Sequence, residues 1–517
     1  MTTNGHTNGT HASNDSPNHV VPLLINGKQV TNETTFDVVS PTTGKVIWKA
    51  SSVSKQQGIE AVEAAQAAFP AWSKTKPAFR RDILLKASDI LKSRGEEICE
   101  YMEIETGSGE GHSKHFNLPA SIEQLRDVAG RIVTVTGNIL VPGEQGKSAL
   151  MYKEPFGVVF GIAPWNAPFI LGFRAVSYAL AAGNTCVLKG SELSPRCFWA
   201  IGSILTAAGL PDGVLNVIFH RPQDAPEVTS AIIEHPFVKK INFTGSTVTG
   251  SIIAAQAGKF LKPVLMELGG KAPAIVLKDA NLEKAAECCA LGAFMHGGQI
   301  CMATERILVH SSIAENFREA LKKAMDKIYG KESPAPILVN APPVQKNKKL
   351  VEQALSKGAK ILTGDMNAKE LSNTRMRPIV VDGVTKDMDL YQTESFGPTV
   401  SLIVVESEEE AIEIANDTDY GLSSAVFTED LAAGLRVAKQ IETGYVFCST
   451  ILSLHEAEWW RYRIEADGDS AVHINNMTVH DEPNLPHGGA KKSGWGRFNG
   501  SAGIEEFLRV KCVTWWD

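Results

Sequence analysis

The chain has no run of eighteen apolar residues, no basic stripe and no CxxC pair. The first absence excludes a membrane-spanning helix. The second, with a formal net charge of −7, argues against nucleic acid or an anionic membrane surface as a partner. The third leaves eight scattered cysteines in 517 residues, too irregular for a disulfide framework or a zinc site. Free thiols and no metal are therefore expected. Cys99, Cys186, Cys197, Cys288, Cys289 and Cys512 read as small buried apolar groups. An apolar export segment is also missing, because the opening MTTNGHTNGTHASNDSPNH is polar throughout, so a cytoplasmic protein is expected. Residues 1–20 have almost nothing to bury and are expected to stay disordered.

What is present is ordinary globular material, 43% hydrophobic and 21% charged, enough for two or three domains around a large core. Asn26-Gly27 between two short apolar runs predicts a hairpin. The stretches GIEAVEAAQAAFPAW and RRDILLKASDILKSRGEEICEYMEIETG carry the i, i+3, i+4 spacing of amphipathic helices. Then GVVFGIAP, NTCVLKG, LNVIFH, KKINFTGS and PAIVLKD recur as short β-branched runs between helical patterns or tight connections. Continuous apolar strands alternating with helices imply parallel sheets covered on both faces, so the fold class is α/β.

In such sheets ligands lie beyond the carboxyl ends of the strands. There this chain places Trp165-Asn166, Lys189 with Glu192, Gly245-Ser246, and Glu267 before two glycines. NFTGSTVTG frames a helix N-terminus whose free N–H groups suit a phosphate, although it is not GxGxxG and such turns are common. HGGQICMATER sets Cys301 among glycines after a long helical pattern. Alone, that cysteine reads equally as a packed small hydrophobe.

Six motifs change the balance: PWN at 164–166, LKGSE at 188–192, FTGS at 243–246, MELGGK at 266–271, GQIC at 298–301 and ESFGP at 394–398. In this order and spacing the chain resembles the aldehyde dehydrogenase superfamily from about residue 21 to its C-terminus. It looks most like the salicylaldehyde, vanillin and benzaldehyde dehydrogenases, through NAPFILGFRAVSYAL and TVHDEPNLPHGGAKKSGWGRFNGSAGIEEF. The resemblance implies NAD(P)-linked oxidation of an aldehyde, here aromatic, to the acid through a cysteine thioester. It implies a Rossmann-like NAD-binding domain (21–136 and 153–265), an α/β catalytic domain (266–481) and a small β oligomerisation domain (137–152 and 482–517) joining a homodimer or homotetramer.

Carried over residue by residue, Cys301 is the nucleophile, because an aldehyde carbon yields hydride only after a nucleophile has made it tetrahedral. The resulting oxyanion is met by the Asn166 side chain and the Cys301 backbone N–H. Glu267 is the general base for the hydrolytic water. Lys189 faces the adenosine ribose hydroxyls with Glu192 beside it, and that carboxylate would repel a 2′-phosphate, favouring NAD over NADP. Trp165, Gly245, Ser246 and Leu268 join the cofactor wall, Glu394 faces the nicotinamide ribose, and Phe396 packs near it. Bland alternatives exist. Asn166 can be a turn residue before Pro168, Lys189–Glu192 a surface ion pair, and Phe396 a core aromatic. A structural Glu267 would cost several kcal/mol in an apolar run unless partnered.

Arg174, two helical turns past Asn166, is placed to bind a phenolic oxygen or a carboxylate, or else to bridge elements as a salt bridge. Ser501 stands where many relatives have a glutamate linked to proton relay. Rival classes keep Cys301 but change the reaction: an aliphatic or semialdehyde dehydrogenase, a coenzyme A-acylating enzyme without need of Glu267, or a thiol hydrolase using His296. One segment fits nothing. YVFCSTILSLHEAEWWRYRIEADGDS, Tyr445 to Ser470, separates ETG from AVHINN, and excising its 26 residues restores the family pattern. The codons available to Gly444-Tyr445-Val446, Ala466-Asp467 and Ser470 admit an intron donor, branch site and acceptor in register. The segment is therefore expected to be a retained intron.

Overall fold

The computed structural model describes residues 19–330, 332–443 and 475–517, with the backbone of 447–448. The tail read as disordered, up to residue 18, and the segment read as a retained intron, apart from that backbone pair, lie outside the described residues.

Strands Val264–Glu267, Val238–Thr244, Val158–Ile162, Thr185–Lys189 and Leu215–Ile218 are neighbours in that order, all parallel, at the centre of an eight-stranded sheet. Helices Lys55–Trp72, Pro168–Ala181, Pro195–Ala208 and Thr247–Lys259 connect or cover them. Coverage on both faces explains why Val158–Ile162 and Leu215–Ile218 are buried at every position rather than alternately. The hairpin at Asn26-Gly27 forms, with both residues at positive φ (51° and 73°), and extends the sheet antiparallel to Leu215–Ile218. Helix Lys55–Trp72 starts with a reciprocal capping box between Ser54 and Gln57.

A second, seven-stranded sheet runs Lys360–Thr363, Ile379–Asp382, Thr399–Val405, Thr304–His310, Ala272–Val276, Ala425–Phe427 and Phe447–Cys448. Val264–Glu267 ends the parallel set of the first sheet, and only four residues separate it from Ala272–Val276 of the second. Glu267 is thus the last residue of its strand in one sheet, while Cys301 lies just before Thr304–His310 of the other.

One reading of the C-terminal region needs correction, that of Cys512 as a buried thiol. Residues 482–507, expected among the oligomerisation segments, also meet the main body of the chain. Gly494–Trp495 pairs with Val264–Glu267, and Phe498, Ile504 and Phe507 are buried in the main core, which holds the segment there. Only Leu508–Trp516 joins Lys147–Pro155 and Asn138–Leu140 in a three-stranded antiparallel sheet. Cys512 rides on that outlying strand and is exposed in the single chain, whereas Cys99, Cys186, Cys197, Cys288 and Cys289 are buried; all the described cysteines are free thiols. Among the described residues no helix is long and apolar enough to cross a membrane.

Candidate active site

Chain reversal brings Cys301 and Glu267 together although 34 positions separate them. The approach depends on two glycines. A Cβ on Gly270 would fall 2.4 Å from the Cys301 carbonyl oxygen, and one on Gly269 would fall 2.7 Å from Glu394 Oε2. Any side chain at either position would push the cysteine loop or the 394 carboxylate away. Cys301 is half-buried, and burial pushes its thiol well above the usual range. The facing Glu267 carboxylate pushes the same way, by charge and by a hydrogen bond that holds the proton on sulfur. Glu267 is 1% exposed, and neither of its oxygens has an aligned N–H or O–H donor among the described residues. The imidazole Nε2 of His487 stands 4.0 Å from Glu267 Oε1.

Asn166, at the start of helix Pro168–Ala181, is 4% exposed and lines one cavity with Cys301. Its Nδ2 donates to the carbonyl of Gln299 at 2.9 Å, which fixes the amide and leaves its second N–H for another acceptor. Its own carbonyl takes a 2.9 Å hydrogen bond from His112 Nε2.

The residues assigned to the cofactor gather at the strand ends. Lys189 closes Thr185–Lys189 with its ammonium 3.5 Å from Glu192 Oε2, and burial lowers the lysine pKa. Ser246 caps helix Thr247–Lys259, its Oγ accepting from the Thr249 N–H at 3.3 Å, so the first-turn N–H groups face outward beside Gly245. Leu268 packs against Gly250 of that helix. Glu394 accepts from the Gly270 N–H at 2.8 Å, and burial pushes its carboxyl up to about 7. Phe396 meets Trp165 edge-on at 6.2 Å. A lysine–carboxylate pair for ribose hydroxyls, an open helix N-terminus for phosphate and a second carboxylate further along form a donor set that fits a dinucleotide.

The aldehyde end holds groups that sequence patterns missed. Arg174, 2% exposed, forms a salt bridge with Asp481, the second of the two roles expected of it, and also lines the cavity. Burial favours the neutral acid at Asp481, but Arg174 and His487 overrule it and keep the carboxyl below its usual range. A substrate carboxylate would have to share Arg174 with that anion. His112 comes from a segment with no recognisable motif, and Asp481 and His487 lie in the stretch that begins TVHDEPNLPH, where the resemblance did not single them out. Glu305 was also missed: its Oε1 accepts from the N–H groups of Ser395 and Phe396 at 2.8 and 3.1 Å, and its Oε2 meets Lys271 Nζ at 2.6 Å. That pair pins the loop carrying Glu394. The Met-Ala-Thr-Glu sequence after Cys301 gave its only signal, an acid at the start of a strand otherwise buried. Ser501 stands apart from the cavity, its Oγ 3.2 Å from Arg131 Nη1. His296 stacks on His112 instead of bonding Cys301, and burial with the neighbouring His112 pushes its pKa far down.

A half-buried thiol facing a carboxylate, an amide donor beside it and a dinucleotide cradle at the strand ends define an oxidoreductase of the thioester type. The aldehyde dehydrogenase family profile matches residues 28–459 and 449–513, and the chain belongs to that family. It is 40% identical over 501 residues to a vanillin dehydrogenase of Pseudomonas sp. strain HR199, covering 96% of this chain and 97% of the relative. It is 36% identical over 462 residues to a benzaldehyde dehydrogenase of Bacillus subtilis, covering 88% of each. Among solved structures, a salicylaldehyde dehydrogenase from Pseudomonas putida G7, complexed with salicylaldehyde, superposes with a TM-score of 0.88 at 34% identity, over 96% of this chain and 98% of that one. The protein is thus an NAD(P)-dependent aldehyde dehydrogenase of the α/β fold expected.

Proposed function

We propose that this enzyme oxidises an aromatic aldehyde to its carboxylic acid with NAD, through a thiohemiacetal and a thioester on Cys301. The observation that carries the reading is the convergence of Cys301, with Glu267 against its thiol, and Asn166 on a cavity whose wall includes Phe116, Ile170 and Leu171, suited to a flat apolar ring. Relatives named for vanillin, benzaldehyde and salicylaldehyde support the aromatic class.

The high thiol pKa makes Glu267 the group that takes the proton as Cys301 Sγ bonds to the aldehyde carbon. The aldehyde oxygen becomes an oxyanion, and the second N–H of Asn166 Nδ2 and the Cys301 N–H stabilise it by a few kcal/mol. A bound nicotinamide dinucleotide supplies the two-electron acceptor, held by Lys189, Glu192, the Gly245–Ser246 helix start and Glu394. With the aldehyde hydrogen lost from carbon as hydride to that acceptor, the C–H bond is broken and the thioester is left; Glu267 releases the thiol's proton to solvent and then removes a proton from water, whose oxygen attacks the thioester carbon. The carbon–sulfur bond breaks, the acid leaves, and the thiol regains its proton. The Glu192 carboxylate disfavours a 2′-phosphate and so NADP.

We further propose a cytoplasmic homodimer or homotetramer. Strand Leu508–Trp516 leaves Trp515 and Trp516 exposed, beside exposed Ile139 and Val141, an apolar surface that a second copy would cover. The activity is tested by following NADH absorbance with benzaldehyde, hexanal and succinic semialdehyde, with and without coenzyme A. Faster reduction with benzaldehyde and no need for coenzyme A are expected. Preference for the aliphatic substrates, or a requirement for coenzyme A, would overturn the reading.

A further inference from the structure

We propose that His112 is a specificity-determining residue whose Nδ1 accepts a hydrogen bond from a hydroxyl on the substrate ring, making hydroxybenzaldehydes the favoured class. The proposal rests on the aromatic reading above and adds to it a polar subsite in an otherwise apolar wall.

The tautomer follows from one contact. His112 Nε2 lies 2.9 Å from the carbonyl oxygen of Asn166, and a carbonyl only accepts, so Nε2 carries the hydrogen. Nδ1 is then a bare acceptor. It is buried and has no partner among the described residues, an arrangement that folded proteins rarely leave unsatisfied. The ring lines the same cavity as Cys301 and Asn166. It cannot swing freely, because it is stacked on Phe116 (5.6 Å, 21°) and on His296 (4.3 Å, 8°). Burial also holds the His112 pKa near 4, so the imidazole stays neutral and keeps its lone pair at working pH.

Of the other polar groups on this wall, Arg174 keeps a buried Nε–H without a partner among the described residues, which can donate to a ring oxygen but not accept from a ring hydroxyl. Arg174 is only a donor and pairs with Asp481, whose other oxygen takes a 2.9 Å hydrogen bond from Asn499 Nδ2. An unsubstituted ring leaves Nδ1 unpaired, whereas a ring hydroxyl satisfies it. A site with a buried polar group discriminates strongly against the analogue that fails to pair with it.

The test compares kcat/KM on the full-length enzyme with NAD for benzaldehyde, its three hydroxy isomers and their methoxy ethers. At least one hydroxy isomer is expected to exceed benzaldehyde by about tenfold, and its methyl ether to lose that gain. The ether isolates His112 from Arg174, because a methoxy oxygen still accepts from a guanidinium but donates nothing. Two variants separate positioning from recognition. His112→Gln keeps an N–H for the Asn166 carbonyl but no acceptor at Nδ1; His112→Asn keeps the acceptor but releases Asn166. Gln is expected to erase the hydroxy-over-benzaldehyde ratio, and Asn to lower both rates while keeping it. Equal rates for hydroxy and methoxy rings, or an unchanged ratio in the Gln variant, would overturn the proposal. If benzaldehyde beats hexanal yet no isomer beats benzaldehyde, only the His112 proposal falls. If hexanal beats every aromatic aldehyde, the aromatic reading falls first.

Discussion

The two ends of the site are assembled in different ways. At the cofactor end most groups sit within a few residues of the carboxyl end of a strand: Lys189 on Thr185–Lys189, Ser246 after Val238–Thr244, Leu268 after Val264–Glu267; Glu394 and Phe396 instead precede Thr399–Val405. Short local sequence builds that end, and backbone N–H groups share its work. At the aldehyde end His112, Arg174 and the pair Asp481 and His487 converge from three distant segments, and most of the chemistry is between side chains. The first end suits a ligand of fixed shape. The second can be retuned one residue at a time without disturbing the sheets.

The largest expected effect lies where the ends meet. Cys301→Ser should lower NADH formation by about a thousandfold or more while NAD binding, read by quenching of protein fluorescence, persists. A variant retaining native turnover would remove the nucleophile from the account. Next, Glu267→Gln should cut steady-state turnover by about 10²–10³ and slow the first-turnover burst as well, since in the proposed mechanism the same carboxylate takes the thiol proton. An undiminished burst would confine Glu267 to the water step. Glu192→Gln should act on one end alone, raising kcat/KM with NADP about tenfold and leaving the ratio of aldehyde substrates unchanged. A changed aldehyde ratio would show that the ends are not separable.

The smallest effect is on stability. Glu394, pushed up to about 7 from 4.5, holds its proton more tightly folded than unfolded. Its contribution is therefore full below about pH 4.5 and fades as pH rises through about 7. Glu394→Gln should narrow the gap in Tm between pH 5 and pH 8 by about a degree or two in calorimetry. Glu105, buried at the start of Pro195–Ala208 and also pushed to about 7, keeps the remaining slope.

The same contrast governs what the sequence revealed. The parallel strands and the turns after them were legible because hydrophobic runs, glycines and special residues lie side by side. Cys301 became legible only in company with five other motifs. His112 was invisible, since its role depends on stacking against residues 4 and 184 positions away and on a carbonyl 54 positions away. Cys512 was misread because its strand is apolar enough for a core but lies on the single chain's surface. Within residues 482–507 the strands are two residues long, which leaves no periodicity to read.

For Tyr445 to Ser470 the physical argument is one of length. Six residues or fewer usually link such a helix to its strand, and the family profile divides its match near this stretch. We propose that mature messages omit it. Sequencing them decides the matter, and a majority that retain the segment would refute the idea.

Glu267 closes a strand of one sheet and Cys301 opens a strand of the other, so the gap between acid and sulfur is set by how the two lobes lean together. A substitution at their seam, far from either atom, would move the pair like the jaws of a calliper. Random changes that alter the rate without touching the pocket should therefore concentrate along that seam.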